Sequence, residues 1–158
     1  MTARTADLVV VGGGVMGAWT ALRAVEDGRE TLLVDAFGSG DARATSNDAS
    51  RLSRASHGTD AWYTRSSRLA REAWLALGEE AHEQLFIQTG VAWFAHRHDG
   101  FEAASLVTLS GEDIPVERLA PDEACRRWPA LITDDLAFVV HEPEAGVLLA
   151  ARAVAAAV

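Results

Sequence analysis

Lysine is absent: all 14 basic residues of this 158-residue chain are arginine. Any step that needs a lysine amine must draw it from outside these residues. Cysteine is nearly absent, and the single Cys125 excludes an internal disulfide or a cysteine-cluster metal site. No apolar run approaches the roughly 20 residues that cross a bilayer. The start, Met1-Thr2-Ala3-Arg4-Thr5-Ala6, lacks the apolar centre of a signal peptide. Acidic residues outnumber basic ones 23 to 14, and the net charge of −9 disfavours nucleic acid or an anionic membrane as a partner. With 49% hydrophobic residues, the chain can bury a core. A globular, cytoplasmic protein is expected.

Several reactive constellations are missing as well. There is no P-loop, zinc spacing or nucleophilic triad. His96, His98 and Asp99 sit at a strand end before Gly100 and read as a solvated turn, and Glu79, Glu80 and Glu83 as a solvated helix face. The five tryptophans lie mainly in amphipathic segments, where burial is the ordinary explanation.

What is present begins at Asp7-Leu8-Val9-Val10-Val11, followed by Gly12-Gly13-Gly14-Val15-Met16-Gly17. The apolar run predicts a strand buried on both faces. Gly12, Gly14 and Gly17 fit G-x-G-x-x-G, in which the glycines give a tight turn, close approach to a pyrophosphate, and close helix–strand packing. A helix over about 15–27 would aim its N–H groups and dipole at the phosphates, and Gly28 would terminate it. Thr31-Leu32-Leu33-Val34 predicts the second strand. Asp35 at its end, 18 residues after Gly17, stands where a carboxylate accepts from a ribose and argues against a 2′-phosphate. At this point the pattern does not choose between NAD and FAD.

Residues 37–57 are polar and aperiodic, a long loop of the functional kind. Helical periodicity follows over about 60–85, with Gly78 a possible bend. A strand is expected at Val91–Ala95, an ambiguous segment around Leu106–Leu109, a short helix from Pro121 stopped by Pro129, a strand over Leu136–Val140, and a helical run from Gly146 to Val158. A doubly wound sheet needs a third parallel strand, for which none of these segments is placed. The missing strands are expected from beyond residue 158 or from a second polypeptide supplying the C-terminal half.

In the loop, Thr45-Ser46-Asn47-Asp48-Ala49-Ser50-Arg51-Leu52-Ser53-Arg54 resembles the amine-oxidising flavoprotein family of D-amino-acid oxidase and monomeric sarcosine oxidase. The likeness continues through Tyr63, Arg71-Glu72-Ala73-Trp74, Thr89-Gly90-Val91, Arg127-Trp128-Pro129 and Glu142-Pro143-Glu144-Ala145-Gly146-Val147-Leu148, essentially the whole chain. The resemblance implies an α/β fold: a Rossmann-type FAD-binding βαβ half (1–59 plus 141–158) with part of an α+β substrate domain (60–140), the sheet incomplete in this chain. It implies FAD as cofactor, held by Gly12, Gly14, Val15, Met16, Gly17, Asp35, Ala36, Thr45, Ser46, Arg51 and Leu52. Arg51 corresponds to an arginine beside the flavin ring, and Arg54 to one that binds the substrate carboxylate, a task suited to its planar fork. His57 falls where the sarcosine branch has a pocket tyrosine, and an ordinary loop histidine is an equal reading.

Departures are also visible. Ser46-Asn47-Asp48-Ala49 lacks the histidines and glycine common in the sarcosine branch, and Cys125 reads as structural rather than as a flavin attachment point. The expected activity is oxidation of the C–N bond of an amino acid or N-methylamino acid, with oxygen as acceptor. A NAD-dependent dehydrogenase, a flavin dehydrogenase with another acceptor, and a non-catalytic dinucleotide-binding subunit needing a partner chain stay open.

Overall fold

A parallel strand pair joined by a helix opens the computed structural model, which describes residues 5–38, 41–46 and 48–158. β1 (Leu8–Val11) pairs in parallel with β2 (Thr31–Val34), Leu8 opposite Thr31 and Val11 opposite Val34. Parallel neighbours need a crossover, and α1 (Val15–Glu26) supplies it. Ala18, Ala21 and Ala24 are the buried residues of α1, small side chains spaced three apart that let the helix lie close to the strands. Its end is fixed by glycine. Gly28, at φ +77°, donates to the Val25 carbonyl at 2.9 Å while Arg29 donates to Ala24 at 2.9 Å, the paired bonds of a Schellman stop.

The chain divides into two compact units, Met1–Arg51 with Trp74–Phe86 and Leu148–Val158, and Leu52–Ala73 with Ile87–Val147. The first contains the βαβ segment, the later part of α2 (Ala61–Glu80) and α5 (Ala150–Ala156). Its core gathers Ala18, Trp74, Leu77, Leu85, Phe86, Leu148, Ala153, Val154 and Ala157. Trp19 of α1 meets Trp74 edge-on, with ring centroids 4.8 Å apart.

The second unit is built on an antiparallel sheet. β7 (Phe138–Glu142) lies between β5 (Val91–Ala95) and β6 (Glu117–Leu119), with Val91 opposite Glu142 and Glu117 opposite His141. A central strand must be apolar over most of its length, and Phe138, Val139 and Val140 are buried almost completely. The last two residues, His141 and Glu142, are buried as well, although both are ionisable. α3 (Phe101–Gly111) and α4 (Pro121–Arg127) flank the sheet. α4 begins with Pro121 at a position that needs no N–H, and Glu123 accepts from the Ala120 N–H at 2.8 Å. Three short strands, β3 (Arg51–Ser53), β4 (Phe86–Ile87) and β8 (Gly146–Leu148), carry the chain from one unit to the other.

Several expectations need correction. β1 is not buried on both faces: Val10 packs against α1 at Gly17, whereas Val9 and Val11 are 55% and 83% exposed. Its one described neighbour strand is β2. The run from Gly146 is not one helix, because Gly146-Val147-Leu148 is strand β8 before α5 starts at Ala150. α2 stops at Glu80 rather than near Leu85, since His82 turns to φ 52° and Glu83 donates back to the Gly78 carbonyl. Gly78 is buried within the helix and does not interrupt it. The strand expected over Leu136–Val140 begins two residues later, and the ambiguous Leu106–Leu109 segment lies in α3. The loop over 37–57 contains β3.

Candidate functional site

The β1–α1 turn is drawn tight by its glycines. Gly12 takes φ +106° and its N–H donates to the Val34 carbonyl at 2.8 Å. A Cβ at Gly17 would lie 1.7 Å from the Gly12 carbonyl oxygen, so a side chain there is incompatible with the turn. Gly14 occupies the N-cap of α1 and contributes no side-chain cap. The helix therefore presents first-turn N–H groups that have no intrahelical acceptor, with the positive end of its dipole behind them. One of these, on Val15, is taken at 3.0 Å by Ser46 Oγ, a cap delivered from 31 residues away.

Asp35 closes the turn from the other strand. Its carboxylate accepts from Gly13 at 2.7 Å, Phe37 at 2.8 Å and Gly38 at 2.9 Å. These backbone donors, Gly13 foremost, hold its carboxyl below the usual aspartate value, so it stays ionised at neutral pH. Ala36 follows it, exposed.

A cleft of about 680 Å³ opens over this turn, lined by Gly12, Gly14, Val15, Met16 and Gly17, by Thr45, Ser46 and Arg51, and by an apolar wall that includes Trp74 and Leu148. Eight of the sequence-assigned residues thus share one cleft within the first unit. Leu52 is exposed on β3, in the second unit, and does not line the cleft. A diphosphate fits what is there: a helix N-terminus without its own side-chain cap, glycine where a Cβ would intrude, and one arginine. That arginine is not isolated. Arg51 pairs with Asp48 and donates to the Thr45 carbonyl at 2.7 Å, while the Asp48 carbonyl accepts from Ala151 at the start of α5. Asn47, in the same loop, lies outside the described residues.

Arg54 and His57 come together in the second unit. Arg54 donates to the Ser56 carbonyl, and its guanidinium carbon stands 5.0 Å from the centre of the Trp93 ring. Arg54 Nη1 is 3.5 Å from His57 Nδ1, and His57 Nε2 is 2.8 Å from Ser67 Oγ. Since arginine can only donate, Nδ1 is the acceptor and Nε2 carries the proton given to Ser67. Burial, followed by the Arg54 charge, pushes the His57 pKa below its ordinary value; Glu142 and Asp60 oppose this without reversing it. The Tyr63 ring is 5.6 Å away.

Sequence reasoning missed the group that ties this cluster together. Glu142, 2% exposed, accepts from Ala55 N–H at 2.8 Å, Ser56 N–H at 3.2 Å, the Ser56 hydroxyl and Trp93 Nε1 at 2.7 Å. Glu142 was legible as the first residue of a family-like stretch just past an apolar strand, but not as a partner of these groups. Asp48, the partner of Arg51, was visible as a departure but not as an ion pair. His96 pairs with Asp135 at an exposed position, and no cluster of three metal-ligating side chains occurs among the described residues. Cys125 is exposed on α4. Among the described residues no helix is long and apolar enough to cross a membrane.

Monomeric sarcosine oxidase of Bacillus sp. (strain B-0618) is 29% identical over 151 residues, covering 95% of this chain and 39% of the relative. N-methyl-L-tryptophan oxidase of Yersinia pestis (strain Pestoides F) is 26% identical over 148 residues, covering 94% and 40%. The chain thus spans about two-fifths of the length of these curated relatives. The crystal structure of L-proline dehydrogenase from P. horikoshii superposes with a TM-score of 0.79 over 99% of this chain and 42% of that one. At 21% identity it shows a shared α/β fold. Residues 7–158 match the sequence profile described as DAO, FAD dependent oxidoreductase, and the chain belongs to that family of FAD-dependent oxidoreductases.

Proposed function

We propose that the protein oxidises the C–N bond of an amino acid or N-methylamino acid, with oxygen as electron acceptor. The reading rests on one observation above all: the α1 N-terminus, without its own side-chain cap, opens into a cleft that also holds Arg51. The first unit is the cofactor part, a Rossmann-type βαβ segment whose sheet is incomplete in this chain, and the second is substrate-binding. The remaining strands come from sequence outside these 158 residues or from a second polypeptide. The exposed Val9 and Val11 face of β1 supports this, as does the coverage of the relatives.

FAD, when bound, supplies the two-electron oxidation. This chain's residues hold and orient. Gly14 and Met16 receive the pyrophosphate through backbone N–H groups and Ser46 through its hydroxyl, with Val15, whose N–H donates to Ser46, beside them. Gly14 allows the close approach while Gly12 and Gly17 keep the turn tight. Asp35 has lone pairs left for ribose hydroxyls beyond its three backbone donors, with Ala36 and Thr45 beside the cofactor. Arg51, partly neutralised by Asp48, places positive charge at the cleft. Arg54 orients the substrate carboxylate with its guanidinium fork, the ring of Trp93 supporting it. His57, neutral and tied to Ser67, stands beside Arg54 on the substrate side.

The decisive test is Arg54→Ala in the full-length, FAD-loaded protein. Losing a charged hydrogen-bond pair raises KM for an N-methylamino acid on the order of tenfold to a hundredfold. Flavin content should not change. An unchanged KM would overturn the assignment.

A further inference from the structure

The segment 54–57 has no regular hydrogen-bonding ladder of its own, lying between β3 and α2. Buried backbone N–H groups in such a segment must find acceptors elsewhere. For Ala55 and Ser56 the acceptor is one residue, Glu142, about 87 positions away at the end of the central strand β7. The same carboxylate takes the Ser56 hydroxyl and the Trp93 indole N–H. A carboxylate offers about four acceptor positions, and here four donors fill them. A fully engaged carboxylate of this kind holds the geometry of the groups that donate to it.

What it holds is the surroundings of Arg54. The Arg54 guanidinium donates to the carbonyl of Ser56, whose N–H and hydroxyl are both fixed by Glu142. It also lies over the Trp93 ring, whose N–H is fixed by the same group. Backbone and ring, which neighbour the guanidinium alongside His57, thus share one anchor. We infer that Glu142 is a positioning residue that sets the orientation of Arg54 for a carboxylate ligand. The inference rests on the reading of Arg54 given above.

The test measures acetate binding to the full-length, FAD-loaded protein by its perturbation of the flavin absorption, in a double-mutant cycle. Glu142→Gln keeps shape but leaves one carbonyl oxygen to face four donors. The expected result is a rise in the acetate Kd of roughly tenfold, the scale of one charged hydrogen bond, with flavin content unchanged. In the Arg54→Ala background, Glu142→Gln should add nothing, because the guanidinium it positions is gone. Trp93→Phe keeps the ring and cuts only its tie to Glu142. It should raise the Kd about threefold, a fraction of a charged hydrogen bond, again with no effect once Arg54 is removed. Should Glu142→Gln fail to fold, this second variant decides. If acetate does not bind, or if Arg54→Ala leaves its Kd unchanged, the reading of Arg54 falls. If Arg54→Ala weakens binding but the Glu142 or Trp93 change does not, or adds to it independently, the positioning role falls.

Discussion

His57 shows burial and a charged neighbour acting together at the scale of a residue. Its pKa is lowered first by burial and then by Arg54, while Glu142 and Asp60 pull upward. A histidine whose folded pKa lies below its unfolded one adds no penalty at pH well above 6.5. As pH falls through that value, the unfolded chain takes the proton first and stability declines, until the folded pKa is passed. Arg54→Met removes the positive charge but keeps a long side chain. The His57 titration, followed by NMR, should move upward toward the ordinary value. A titration that stays put or moves down would show that the guanidinium does not face the ring. Neutral His57 beside Arg54 leaves the arginine as the cation of the pair at pH 7.

At the scale of elements, glycine on a helix is read by what surrounds it. Gly78, in α2, would place a Cβ 2.9 Å from the Glu83 carbonyl oxygen, in the turn closed by the bond from Glu83 N–H to Gly78. Alanine gains about 1 kcal/mol in helix propensity, but forcing the backbone apart costs about 1–3 kcal/mol. Gly78→Ala should therefore lower Tm. Gly111, the last residue of α3, has nothing within 4 Å of an added Cβ, so Gly111→Ala should raise Tm or leave it level. The reverse order in thermal unfolding would refute the packing account.

The same contrast explains what was legible beforehand. β1, α1, β2 and β5 carry strong local signals: apolar runs for the strands, that of β5 preceded by Gly90, and small residues at helical spacing with a glycine stop for the helix. β8 and α5 were merged because Val147-Leu148-Leu149-Ala150 has no punctuation, and the switch is made by Leu149 donating to the Leu85 carbonyl, a distant contact. β3, β4 and β6 are only two or three residues long, too short for a period. Of the site, the glycine turn, Asp35 and the arginines were legible as types at spacings. Glu142 was not, because its role is created by segments some 50 and 87 positions away that only the fold brings to it.

At the scale of the whole molecule, the sharpest feature is the apolar face that the first unit leaves open. Val9 and Val11 on β1 are exposed, as are Val34 on β2 and Phe37 just beyond it. Parallel strands with so little polar character are normally covered on both faces, and the chain spans 39% of the sarcosine oxidase it resembles. The proposal that further strands and helices complete this sheet makes a paired prediction for Val9→Thr/Val11→Thr, a swap that keeps β-branching. In the 158-residue chain expressed alone, the valines meet water, so the double variant should shift stability by no more than about 0.5 kcal/mol per site. It should also bind less of a hydrophobic dye than the unaltered chain. In the full-length protein the same hydroxyls would be buried without assigned partners, costing about 1–3 kcal/mol each, and Tm and FAD retention should fall together. Equal, small effects in both settings would mean that this face stays open to solvent in the complete protein, and the completed-sheet proposal would then be abandoned.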